Sequence, residues 1–239
     1  MNYVADRPFA AYNTRDLGGL TCAGGTVRPG RIWRGALHSD RLPGGLPTGT
    51  GLPHVFDLRL DREVPDGIGW PGRWHRWPLH DPEWTRGSAR DERYFIDSAL
   101  RLLPAAGPCL AEVMGELAAG ESVFIGCRLG KDRTGLVVLL LGLLLEVHRD
   151  ELIADYLQTA ASFRAAADWV AGYARQREED PAAVLARLSP SELVPRGILA
   201  ALPDGADELC ARLGIAPELA HRARWSVVEG RPSRSTALT

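Results

Sequence analysis

The stretch SVFIGCRLGKDRTGLVVLLLGLLLEV, residues 122–147, constrains this chain more than any other. A short apolar strand, 121–127, runs into a glycine-punctuated polar turn, and a helix apolar on every side follows at once. Such a helix has no face to give to water, so it belongs in the middle of a fold. Its longest apolar run, 136–145, is far shorter than the roughly 20 residues that cross a bilayer, so no membrane span is expected. Strand, turn and buried helix together are the unit of an α/β domain with its site at the C-terminal end of a strand.

The remaining sequence supplies a sheet first and helices later. TVRPGRIWRG (26–35) and HVFDLRL (54–60) read as strands, the second bounded by GLP and by the turn-like VPDG. Residues 67–90 are crowded with Trp, Arg, His and Pro and read as irregular. A helix is expected over 91–103, and a second is expected to follow Pro108 and stop near Gly120. From Asp150 the text is helical to near 230, and RPSRSTALT at the end reads as frayed. The expectation is a single domain over 1–239: α/β, a central mostly parallel sheet with helices on both faces, and a helical part over 150–230.

A net charge of −2 argues against nucleic acid or an anionic membrane as main partner. The cysteines Cys22, Cys109, Cys127 and Cys210 are scattered without a CxxC pair, which reads as reduced thiols in a cytoplasm, neither disulfides nor a zinc site. The first residues carry no apolar core of a secretion signal, and a cytoplasmic location is expected. Oligomeric state leaves no mark here.

The turn has its own chemistry. Five residues separate Cys127 from Arg133, and Thr134 follows. A loop of that length can curl so that successive backbone N–H groups converge on one anion at the N-terminus of the next helix. Gly126 and Gly130 permit the tight backbone, and Arg128, Leu129, Gly130 and Lys131 form the cradle around a phosphate. Arg133 supplies a planar fork for two phosphate oxygens. Cys127 in the same positive field is expected as a thiolate, and a thiolate beside a phosphate has one use, attack on phosphorus. Thr134 can donate its hydroxyl to the sulfur as it leaves. A cysteine after a strand is, taken alone, more often a small buried apolar residue, but the spacing to Arg133 and Thr134 is far more specific.

CRLGKDRTG resembles the HCxxGKDRTG signature of a bacterial tyrosine-phosphatase-like family of the cysteine-dependent phosphatases. NTRDLGGL at 13–20 is similar to that family's N-x-R-D-L-G-G, and VRPGRIWRGALHSDRL to its VRPGxxxRSGxL. HVFDLRLDREVPDG is similar to its DLRSxxE strand and turn, and DELIADYLQT to its DYLxS/T helix. The resemblance weakens after about residue 165. It implies the phosphatase fold, a phosphocysteine intermediate, no cofactor, no metal in catalysis and a phosphorylated substrate. One position departs: where the family has the histidine that steadies the loop, this chain has Gly126.

Proton transfer needs an acid, and three aspartates compete. The resemblance favours Asp132 in the loop, then Asp57 at the end of the DLR strand, for which a bond to Arg59 or Arg15 is the plainer reading. Asp81, in WPLHDP, superficially resembles a mobile Trp-Pro-Asp loop but reads better as a turn residue before Pro82. Lys131 is the only lysine among 28 basic residues. A compact ammonium there can reach a second anionic group on the substrate, and the resemblance points the same way through phosphoinositides. Residues 70–84 suit a pocket mouth, with Trp77 and Asp81 as substrate-contacting candidates beside Trp70, Trp74 and Trp84. Packing of these tryptophans over the sheet is an equal reading. Helices around 160–186 are expected as a lid by analogy. Two substrate classes stay open: phosphotyrosine-type groups, and small metabolites such as sugar or nucleoside phosphates. A phosphate-reading module that binds without hydrolysis is the rival, favoured by Gly126 alone, and thiol redox or sulfur transfer leaves Arg133 without a role.

Overall fold

The computed structural model describes residues 13–37, 53–64, 73–83 and 91–230. Trp70, Trp84 and the C-terminal stretch 231–239 lie outside them. The main sheet has the order β1 (Arg15–Asp16), β4 (Ile32–Ala36), β7 (Val123–Cys127), β5 (His54–Asp57), β6 (Trp74–Arg76). β4, β7, β5 and β6 run parallel, and only β1 is antiparallel. β5 and β7 are buried along their whole length, which is why they read as unbroken apolar runs rather than alternating ones. The expected α/β architecture with a mostly parallel sheet is the one observed.

Helices α1 (Glu92–Arg101), α2 (Leu103–Ala118) and α3 (Asp132–Leu144) precede α4 (Arg149–Ala165), α5 (Ala167–Arg175) and α6 (Pro181–Leu188). The series ends with α7 (Leu193–Ala200), α8 (Ala206–Leu213) and α9 (Pro217–Val227). α2 and α3 share one apolar core with Ile32, Phe56, Val123 and Ile125 of the sheet. The other face carries Leu37, Val55 and Phe124, with Trp33 and Trp74 packed on them. Every side chain of α3 from Arg133 to Leu144 is buried, as its all-round apolar sequence requires.

Three local expectations are corrected. The second helix begins at Leu103, with Pro104 in its first turn, and Pro108 sits inside it. An interior proline removes one ladder hydrogen bond. Burial of Leu103, Ala106, Cys109, Leu110 and Val113 in the core favours the helix through that position. The segment read as irregular contains β6, parallel to β5. Three residues, Trp-His-Arg, make too short a run to signal a strand, and the neighbouring β5 supplies the template. Near the end, β8 (Val228–Glu229) pairs with β3 (Gly25–Val27), which pairs with β2 (Thr21–Cys22), in a second small sheet.

Asp81 ties the segment after β6 to α1. Its carboxylate accepts from Arg101 Nε at 3.1 Å and Nη2 at 2.8 Å, and from the backbone N–H of Glu83 at 3.0 Å. It is thus the turn residue of the plainer reading, committed to a helix end. The Arg101 hydrogen bonds, with smaller help from Ser98 and Glu83 and against burial, hold its pKa at about 2. A carboxylate whose pKa is depressed by folding adds stability above its unfolded pKa of ~3.9, and that stability is lost as pH falls through the folded value. Asp81→Asn is therefore expected to cost about 2 kcal/mol at pH 7. In chemical denaturation against pH, the gap to wild type should close between about pH 4 and pH 2.

Candidate active site

Cys127 is the last residue of β7, between β4 and β5. Its carbonyl accepts from Leu37 N–H at 2.7 Å, and the carbonyl of Gly126 accepts from Leu58 N–H at 2.8 Å. The chain then leaves the sheet, turns through Gly130 and enters α3 with Lys131 as its N-cap. Gly130 is required twice over. Its φ of +64° is left-handed, and a Cβ there would lie 2.5 Å from the backbone carbon of Gly35.

The turn is held from outside by its carbonyls. Asn13 Nδ2 donates to Leu129 O at 2.7 Å, and Arg34 Nη2 donates to Gly130 O at 2.8 Å. A trans peptide points its C=O and N–H to opposite sides, and no cis peptide occurs among the described residues. Drawing those two carbonyls outward turns the N–H groups of Gly130 and Lys131 inward, toward the N-terminus of α3. This is how a nest for an anion is made.

The holders are themselves held. Asp155 of α4 accepts from Arg15 Nε at 2.6 Å and from Arg34 Nη1, and Arg15 Nη1 donates to Asn13 Oδ1 at 2.8 Å. Burial opposes the charge of Asp155, but Arg34 and Arg15 outweigh it and keep its pKa below the ordinary carboxylate range. Burial, reinforced by Arg34 and opposed by Asp155, lowers Arg15 to about 10. Asp16 closes the adjoining turn by accepting from the N–H groups of Gly18 and Gly30.

Arg133 opens α3 with its fork fixed on the far side by Glu63, in the 3₁₀ turn Asp61–Glu63 after β5. Nη1 donates to Glu63 Oε2 at 2.6 Å and to Leu58 O at 3.0 Å, and Nη2 donates to Glu63 Oε1 at 2.9 Å. Burial works against the Arg133 charge, but attraction to Cys127, then to Glu63 and Asp132, raises its pKa. Burial pushes the Glu63 carboxyl up, yet bonds and charge from Arg133, with Leu60 N–H and Arg128, bring it below its ordinary value. Cys127 and Arg133 are therefore electrostatic neighbours.

Asp132 and Lys131 face a pocket of about 190 Å³, also lined by Phe95, Tyr156, Arg187 and Ser191. Lys131 Nζ lies 5.0 Å from the centre of the Phe95 ring and 3.6 Å from Asp132 Oδ1. Asp132 Oδ1 and the Thr134 hydroxyl are buried without a hydrogen-bond partner among the described residues. Arg128 is exposed, and Leu129 packs against the apolar cluster of Ala36 with Phe163, Trp169, Val184 and Leu188 from α4, α5 and α6.

Cys127, Arg128, Leu129, Gly130, Lys131, Asp132, Arg133 and Thr134 thus come together; Asp57 stands next to that turn, in register with Gly126, and the side chains of Asp57, Trp77 and Asp81 are engaged by other groups. Asp57 is fully buried, and its oxygens accept from Arg59, Arg76 Nη1 at 2.9 Å and Trp74 Nε1 at 3.3 Å. Trp77 packs on the core and donates from Nε1 to Glu112 of α2 at 2.5 Å. The described part of the tryptophan segment is sheet packing, and the cavity beside Lys131 and Asp132 lies between α1 and the connection from α6 to α7. Sequence reasoning missed Asn13, Arg15, Arg34, Glu63 and Asp155 as parts of the site. Each stands inside a motif already quoted for its resemblance, and that was the available signal.

The structure also accounts for Gly126. A Cβ there would meet Leu37 Cγ at 2.6 Å and Phe124 Cε1 at 2.8 Å, so apolar side chains fill the space a histidine would take. Its neighbour in register, Gly35, is roofed by the same Phe124 ring.

An α/β protein with a nest for an anion between a strand-end cysteine and a clasped arginine belongs to a small set of phosphate-handling folds. The family model described as the tyrosine phosphatase family matches residues 9–208, and the chain belongs to that family. A Cupriavidus necator protein named as a putative tyrosine-protein phosphatase is 31% identical over 172 residues, covering 62% of this chain and 60% of its own length. The triple specificity protein phosphatase PtpB of Mycobacterium tuberculosis is 30% identical over 191 residues, covering 62% of this chain and 67% of its own. The chain thus spans about two thirds or less of the length of these relatives.

Glu63→Gln keeps the size of the side chain but leaves one acceptor where the two Arg133 nitrogens need two. Turnover of an aryl phosphate is expected to fall about tenfold or more, because a mis-set fork loses its aim. Asp155→Asn leaves the buried Arg34 and the part-buried Arg15 without a counter-charge and should cost about 3–5 kcal/mol in denaturant titration.

Proposed function

We propose that the protein is a phosphomonoester hydrolase in which the Cys127 thiolate attacks phosphorus. The observation that carries this reading is the Cys127–Arg133 turn, with its carbonyls pulled outward by Asn13 and Arg34 and its arginine braced by Glu63. In the first step an S–P bond forms and the ester P–O bond breaks, and the leaving oxygen takes the proton of Asp132. In the second, Asp132 takes a proton from water as the water oxygen attacks the phosphocysteine, and the S–P bond breaks. Thr134, whose hydroxyl has no hydrogen-bond partner among the described residues, donates to the departing sulfur. Arg133 and the inward N–H groups hold the phosphoryl oxygens throughout. No metal or cofactor enters this scheme.

Asp132 is preferred as the acid because Asp57 is spent on Arg59 and Arg76, and Asp81 on Arg101. Lys131, beside the pocket and over Phe95, suits a second anionic group on an aromatic phosphate. The relatives' names favour phosphorylated protein side chains over sugar or nucleoside phosphates. The cluster of α5 and α6 against Leu129 suits a cover over the loop.

Phosphate release from phosphotyrosine peptide, phosphoserine peptide, phosphoinositide and sugar phosphate is the direct test. Cys127→Ser should abolish release from all of them, and a chelator should change nothing. Asp132→Asn should depress turnover about 10²-fold for poor leaving groups and much less for p-nitrophenolate, which departs without a proton. Release surviving Cys127→Ser would overturn the mechanism. Tight phosphate binding without release would make the protein a reader.

A further inference from the structure

A second cluster of chemistry-bearing side chains lies at the opposite end of the parallel strands. His54 opens β5 in register with Val123, so it stands about 13 Å before Cys127 along the strand direction. His54 Nδ1 is 3.1 Å from His75 Nε2 of β6 and 3.2 Å from Glu116 Oε2 of α2. All three ligand atoms lie within 4.8 Å of one another. In tetrahedral zinc sites, bonds of 2.0–2.1 Å to nitrogen place neighbouring ligand atoms about 3.3 Å apart.

The surroundings are those of a metal centre. Glu112 Oε1 accepts from His75 Nδ1 at 2.5 Å, the carboxylate–histidine pairing that fixes a ligating ring, and Glu112 is itself held by Trp77. Phe56 stacks on the His75 ring at 4.5 Å and sets its plane. Glu121 Oε2 stands 4.0 Å from His54 Nε2. Glu112 and Glu116 are one helical turn apart, so two like charges on α2 face the same spot, an unfavourable spacing unless a cation lies between them.

We propose that His54, His75 and Glu116 bind one divalent transition-metal ion, zinc by the donor set, which staples the edge strand β6 and its neighbour β5 to α2. Two imidazoles and a carboxylate leave a fourth position to water. Without metal, Arg73 Nη1 at 3.1 Å donates to His54 Nε2, and the His54 proton sits on Nδ1. On metal binding that proton moves to Nε2 and stays on the ring, where it is donated in a hydrogen bond to Glu121, while the exposed Arg73 turns to solvent. The imidazole changes tautomer and no net proton is released. The site is independent of the proposed hydrolysis.

The test uses the full chain stripped with chelator, in the Cys127→Ser background so that this thiol cannot compete. Titration with Co²⁺ should give one ion per chain, visible d–d bands and no thiolate charge-transfer band, and Zn²⁺ should displace it. Glu116→Gln and His75→Gln, shown folded by circular dichroism, should each weaken Co²⁺ binding about tenfold or more. Zn²⁺ should raise the thermal midpoint of the parent but not of these variants. No binding, a thiolate band, or affinity unchanged in both variants would overturn the proposal.

Discussion

Charge buried beneath a loop decides how this protein is assembled. Buried Arg34 reaches the underside of the turn after β7, part-buried Arg15 holds Asn13 beside it, and Asp155 answers both arginines from α4. Removing one partner of such a group leaves an unpaired buried charge, so the arrangement locks several elements together. β1, β4 and α4, far apart in sequence, are joined at one carboxylate. The reward appears on the other side of the loop: carbonyls drawn down toward Asn13 and Arg34 turn amides up toward an anion.

Arg133, at the other end of the turn, obeys the same logic. Arg133 begins a helix with no face for water, so its guanidinium is nearly buried and must be countered. Glu63 and the Leu58 carbonyl do so on one edge, fixing the plane of the fork before any ligand arrives. Preorganised donors of this kind do not have to reorient as charge develops, which is the physical basis of electrostatic catalysis. Stability of the loop and competence of the site are consequently one set of contacts.

Gly126 shows how packing can take over a polar task. Phe124 and Leu37 fill the space above the strand where a larger side chain would project, and Phe124 covers Gly35 as well. The end of β7 is steadied there by close-packed apolar atoms, and the turn beyond it by Asn13 and Arg34. A missing histidine is therefore no sign of a slack loop. At the other end of the sheet polar groups persist, and His54, His75 and three glutamates of α2 and the turn after it gather between β5, β6 and α2.

Much of this was legible before any coordinates. The turn from Cys127 to Arg133 is local, so spacing alone marked it out, and the unbroken apolar runs of β5, β7 and α3 announced burial. Short elements such as β6 and β8 left no pattern, since two or three residues complete no period and a neighbouring strand creates them. The early start of α2, straight through Pro108, depended on the core that its first turns enter. The motifs around Asn13, Arg34, Glu63 and Asp155 were visible as text but not as parts of one site. An ion pair joins residues that only folding brings together. Sequence by itself determined the strand, the Cys127–Arg133 turn and the buried helix, because their geometry is set within one run of the chain. Tertiary structure alone paired Asp57 and Asp81 with arginines and left an oxygen of Asp132 without a hydrogen bond among the described residues, because those partners meet only on folding.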